Sequence, residues 1–153
     1  MPNSKTQPER VLSLDDFWPY QVTVLSDRIA RRTSKIVKEH GLNLSQWRVM
    51  AAIAEVPGRT SVEVVTVTPM DKGIVSRGTK ALLEMGFVRR EASQSDGRIS
   101  HLYLTDAGVT LYRQLIPRVA AILESANMGL SSEAQRRLSE QLGELMRVIP
   151  DLR

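Results

Sequence analysis

Cysteine is absent from this 153-residue chain. That excludes disulfides, thiolate metal sites and any switch driven by thiol oxidation. Histidine occurs twice, at His40 and His101, too far apart in sequence to suggest a structural zinc site. No Ser/His/Asp set, metal-ligand cluster or phosphate-cradling glycine loop stands out, so an enzyme is not the reading and no cofactor is expected. No apolar run approaches the roughly 18 residues of a bilayer-crossing helix, and Met1 to Arg10 lacks a signal-peptide core. The expectation is a cytoplasmic chain with no membrane partner. Internal repeats and low-complexity segments are also missing.

What is present is 42% hydrophobic residues, enough for a real core, with a net charge of +4 and a pI near 9.8. That modest basic excess permits nucleic-acid binding without proving it. Its placement says more. Lys72, Arg77, Lys80, Arg89, Arg90 and Arg98 fall in one stretch, against Asp71, Glu84, Glu91 and Asp96. The acids have capping or turn roles, whereas the bases have no obvious local task.

Residues 1–13 are polar and proline-containing and read as a flexible arm. A long helix is expected from about Leu14 to His40, with Val22, Leu25, Ile29 and Ile36 at near-heptad spacing, Pro19 near its start and Gly41 at its end. A second helix should begin with Ser45 as N-cap and stop at Pro57-Gly58. Thr60-Ser61-Val62-Glu63 is a capping box for a short third helix, which Thr68-Pro69 ends. Asp71 should cap a fourth helix running to Met85. Two strands, Phe87 to Arg90 and His101 to Leu104, would be joined by a polar loop. Thr105-Asp106 opens a long fifth helix carrying Leu111, Leu115, Val119, Ile122 and Ala126. Ser131 opens a sixth, with Leu138, Leu142, Leu145 and Ile149 in a stripe.

Helix, turn, helix and hairpin in that order are arranged as in DNA readers, where one helix enters the major groove and a hairpin reaches the backbone or minor groove. On the fourth helix Val75, Thr79 and Leu82 share one face. Lys72, Gly73, Ser76, Arg77 and Lys80 then point outward together. Arginine can bridge two guanine acceptors, serine is a short adaptable donor and lysine suits phosphate. Gly73 would let the backbone approach DNA closely. An ordinary solvated helix face would carry the same charges. At the hairpin tip, Asp96-Gly97 favours a tight turn that leaves Arg98 free for a narrow minor groove. The alternative there is an Asp96–Arg98 surface ion pair, and Asp96 could also support the wing by orienting the arginine. The terminal helices present more apolar stripe than the central module covers. A second copy would bury it through Val22, Leu25, Leu138, Leu142 and Leu145, unless the first, fifth and sixth helices pack on one another within a monomer.

At these residues the sequence resembles the MarR family of winged helix-turn-helix regulators. Asp71-Lys72 with Val75-Ser76-Arg77, Gly86-Phe87-Val88-Arg89-Arg90, and Asp96-x-Arg98 followed by Leu104-Thr105-x-x-Gly108 carry the match, and Gln46-Trp47-Arg48-Val49 fits as well. Gly73 and Gly97 replace a hydroxyl-bearing and a charged residue common in the family, and Val64-Val65 and Pro69 depart around the third helix.

The resemblance implies a mainly α fold with a small β-wing, a winged helix-turn-helix over 41–104 and dimerisation helices over 14–40 and 105–153. It implies a homodimeric, cytoplasmic transcriptional repressor that binds double-stranded DNA at a near-palindromic operator. It also suggests release by a small effector, an aromatic or phenolic acid, bound between the dimerisation helices and the winged module. Trp18, Tyr20, Val24, Trp47, Met50, Leu111 and Tyr112 would line that site, with Arg28, Arg48 or Arg113 facing the acid group. The plain alternative is that these are core residues. A ligand-independent architectural or protein-interaction module is the other functional reading.

Overall fold

The structure, a computed structural model, describes residues 12–125 and 129–152. Most of the expected arm, residues 1–11, and Ala126 of the fifth-helix stripe lie outside the described residues. Among the described residues six helices and one hairpin follow the expected order: α1 (Trp18–Lys38), α2 (Leu44–Glu55), α3 (Ser61–Val67), α4 (Lys72–Glu84), β1 (Val88–Ala92), β2 (Ser100–Leu104), α5 (Asp106–Ser125) and α6 (Ser132–Val148).

Three boundaries differ from the sequence reading. α1 starts at Trp18, because residues 14–16 form a turn in which Ser13 Oγ donates to Asp16 at 3.0 Å. Pro19 then sits in the first turn of the helix, where a missing N–H costs nothing. α2 is capped by Asn43, not Ser45. The Asn43 side chain accepts from Gln46 N at 2.9 Å, and Gln46 Oε1 accepts from Asn43 N at 2.8 Å. This reciprocal box satisfies two helix-end donors and requires Gln exactly three positions after the cap, a spacing Ser45 lacks. The hairpin is longer than read, with Arg90↔Leu102 and Ala92↔Ser100 still in register.

The expected caps at Thr60, Asp71 and Ser131 are all formed. Gly41 takes a left-handed backbone, φ 78°, and turns the chain out of α1. Buried Val37, Val49, Met50, Ile53, Val75, Leu82, Leu102 and Leu115 build one core from α1, α2, α4, β2 and α5. At the end of α1, Arg118 of α5 bonds His40 Nε2 at 2.9 Å and Glu39 at 2.5 Å. The guanidinium holds the Glu39 carboxyl below its usual range.

The hairpin is tied to α5 through the Leu-Thr-x-x-Gly segment. Thr105 N donates to Phe87 O at 3.0 Å, and Thr105 Oγ1 donates to Gly86 O at 2.6 Å. Gly108 N in turn donates to Thr105 Oγ1 at 3.1 Å. A Cβ at Gly108 would stand 2.0 Å from Phe87 O, so only glycine lets the first turn of α5 sit against that carbonyl. α6, by contrast, buries none of its residues within the chain.

Candidate nucleic-acid interface

α4 divides as its periodicity predicts. Val75, Gly78, Thr79 and Leu82 are buried, Ile74 and Leu83 are half-buried, and Lys72, Gly73, Ser76, Arg77 and Lys80 are all exposed. Asp71 Oδ1 accepts from Ile74 N at 2.7 Å and fixes the start of the helix. Lys80 has a loose surface pair with Glu84 at 4.0 Å, which contributes little. Arg77 makes no ion pair among the described residues. A Cβ at Gly73 would lie 3.3 Å from both Arg77 Nη1 and Asp71 Oδ1. Gly73 therefore leaves room for the arginine to fold across the first turn, a role the sequence did not suggest. Gly78 brings α4 close to α2, with Val49 Cγ2 3.5 Å from where its Cβ would stand.

In the hairpin tip, Ile99 N donates to Asp96 O at 2.9 Å, closing a turn over Asp96-Gly97-Arg98-Ile99. Asp96 Oδ1 accepts from the backbone N–H of Arg98 at 2.9 Å. No ion pair joins the two side chains, so the aspartate shapes the turn, and the exposed Arg98 guanidinium has no partner among the described residues. Gly97 is not in the left-handed region and has nothing within 4 Å of a Cβ position. The turn does not require glycine there.

The wing is anchored where Gly58 N donates to Leu102 O at 2.9 Å and Leu102 N donates to Arg59 O at 3.0 Å. His101 Nδ1 lies 2.8 Å from Gly58 O. Arg59 Nη1 donates to Ala52 O and to Glu55, both at 2.7 Å, which closes the end of α2. Sequence reasoning missed Arg59, because nothing near it signals a contact seven residues back. It also missed Tyr103, whose ring lies 4.6 Å below the Arg89 guanidinium, itself paired with Glu91. A cleft of about 430 Å³ separates the wing from α3, and Arg90 and Arg98 both line it. Another, of about 690 Å³, runs along the other flank of α4, past Arg77, Arg48 and the start of α2.

The residues expected to line an effector site do not meet in one cavity. Met50 and Leu111 are core, at 0% and 8% exposure. Trp47 stacks on Tyr112 with centroids 5.4 Å apart, beside a cleft of about 440 Å³ that Arg48, Glu55 and Val67 also line. Tyr20, Val24 and Arg28 border a separate hollow of about 410 Å³ on α1. Trp18 and Arg113 are exposed and border none of these. The split follows from helix geometry, since Met50 and Leu111 lie on the inward sides of α2 and α5. Val22, Leu25, Leu138 and Leu142 are brought together, with Ile29, Trp47 and Val119, along an apolar groove of about 400 Å³ lined by α1, α2, α5 and α6. Leu145 is half-buried on α6. No group of three or more potential metal ligands occurs among the described residues. No described helix is long and apolar enough to cross a membrane.

A family model described as "MarR family" matches residues 40–99, from the end of α1 to the wing tip. The HTH-type transcriptional regulator PetP of Rhodobacter capsulatus is 28% identical over 81 residues, covering 53% of this chain and 49% of PetP. The match thus spans about half the length of that protein. The HTH-type transcriptional regulator MgrA of Staphylococcus aureus is 25% identical over 114 residues, covering 74% of this chain and 76% of MgrA. Among solved structures, a MarR-family transcriptional regulator from Silicibacter pomeroyi superposes with a TM-score of 0.82 at 22% identity. It covers 94% of this chain and 100% of its own. With the capped α3, the split α4 and the anchored wing, these matches show that the chain has the winged-helix fold of MarR-family regulators and is similar to them across its central segment.

Proposed function

We propose that this chain is a sequence-specific DNA-binding regulator that works as a homodimeric repressor in the cytoplasm and is released by a small ligand. The observation that carries the reading is the exposed set Lys72, Ser76, Arg77 and Lys80 on a helix whose opposite face is buried, beside a wing tip that leaves Arg98 uncommitted. A helix so divided fits the major groove, and an arginine at the hairpin tip fits the minor groove. The exposed leucines of α1 and α6 support a two-fold partner. They line a groove within one protomer, yet Leu25 remains 53% and Leu138 43% exposed. The Trp47–Tyr112 stack beside Arg48 supports an aromatic acid as effector, through ring packing and a charge partner.

The test is selection of bound fragments from genomic DNA, with wild type beside an Arg77→Ala, Arg98→Ala double variant. Enrichment of one near-palindrome by wild type, lost in the variant, is expected. On that site Arg77→Ala alone should reduce preference over random DNA by roughly 1–3 kcal/mol if the arginine reads a base. Equal binding to all fragments would replace the regulator with a non-specific architectural protein.

A further inference from the structure

Strand alternation places Val88, Arg90 and Ala92 of β1 on the same side as their cross-strand partners Leu104, Leu102 and Ser100. Val88 and Leu102 are buried, so this side faces the helical core, and an arginine in its middle breaks the apolar pattern. Arg90 is nevertheless exposed, because beyond Val88 the hairpin leaves the core and borders the cleft facing α3. Arg89 lies on the opposite side and is occupied by Glu91 and the Tyr103 ring. Arg90, Arg98, Ser61 and Ser100 all line the cleft. None of these four has a side-chain partner among the described residues.

The nearby acids are turned to other tasks. Glu63 Oε2 accepts from Thr60 N at 2.7 Å and from Thr60 Oγ1 at 2.9 Å, and Asp96 holds the Arg98 N–H. Two guanidinium groups without counter-charge, with hydroxyl donors around the same small cleft, match the donor demand of a phosphate oxyanion. We propose that the cleft between α3 and the wing is a phosphate-binding site. In it Arg90, beside the Ser61 and Ser100 hydroxyls, holds a backbone phosphodiester of bound duplex next to the groove that Arg98 enters. This rests on the DNA-binding reading and adds to it a residue that contacts backbone and carries no sequence preference. It also divides labour along β1, with Arg89 holding the wing together and Arg90 holding the ligand.

The test measures affinity for a short random-sequence duplex over a series of salt concentrations. Arg90→Ala should lower the slope of log affinity against log salt by about one unit per protomer. Arg89→Ala should leave the slope as in wild type, and Arg90→Lys, which keeps the charge, should retain it. A wild-type slope in Arg90→Ala overturns the proposal. If wild type binds no duplex, the DNA reading fails by itself, and inorganic phosphate followed by phosphorus NMR decides the site. Line broadening with wild type that is lost in Arg90→Ala sustains it with free phosphate as the ligand. Equal broadening, or none, overturns it.

Discussion

Thr79 sits on the inward face of α4 at 1% exposure, and its hydroxyl has no hydrogen-bond partner among the described residues. A buried hydroxyl left unsatisfied costs about 1–3 kcal/mol, and valine offers the same shape without it. Thr79→Val is therefore expected to stabilise the protein by about 1 kcal/mol, read as a higher urea midpoint. An unchanged midpoint would mean that the hydroxyl is satisfied in solution. The inward position of Thr79 was legible from its spacing with Val75 and Leu82. Its lack of a partner was not, because that depends on which groups the other helices bring near. The same holds for Gly73, which read as a gap for DNA and which in the fold makes room for Arg77.

Among the elements, α3 is the shortest helix, and it depends on its capping box. The Glu63 carboxyl is held below its ordinary value of 4.5, first by the Thr60 backbone N–H, then by the Thr60 hydroxyl and by the charges of His101 and Arg59. A depressed folded-state pKa means that ionised Glu63 favours the folded chain. That contribution is fully present above the unfolded value and is lost as pH falls through the folded one. Glu63→Gln keeps an oxygen acceptor and removes the charge. Wild type should exceed it in stability near neutral pH, and the difference should shrink as pH falls below 4.5 and be gone once pH is below the lowered folded-state value. Urea unfolding of both proteins across that range checks it; a pH-independent difference would refute the charge as its source. The Thr-x-x-Glu box was legible because capping is local. The cap of α2 was assigned to Ser45 and is Asn43, because both are good caps and only the hydrogen bonds to Gln46 decide between them.

For the whole molecule, α6 sets the main question. None of its residues is fully buried within the chain, and Leu138, Leu142, Met146 and Val148 are exposed. Apolar surface on this scale gains by leaving water, and a second copy supplies the same surface in return. Leu142→Glu places a charge in that face and should convert a dimer to monomer in sedimentation velocity. A sedimentation coefficient unchanged from the wild-type dimer would exclude this face as the interface. A wild type that already sediments as a monomer would exclude the dimer itself.

The sequence by itself determined the order of elements, the inward and outward faces of α4 and the resemblance to MarR-family regulators. All of these depend on periodicity, caps and motifs that act within a few residues. Tertiary structure decided which candidates meet. It set Tyr20 and Trp47 beside different hollows, buried Met50, brought Arg90 to the same cleft as Arg98, and closed the end of α2 with Arg59. The reason is physical. Facing residues on different elements depend on crossing geometry and strand register, which are settled when the core packs and are not encoded by local spacing.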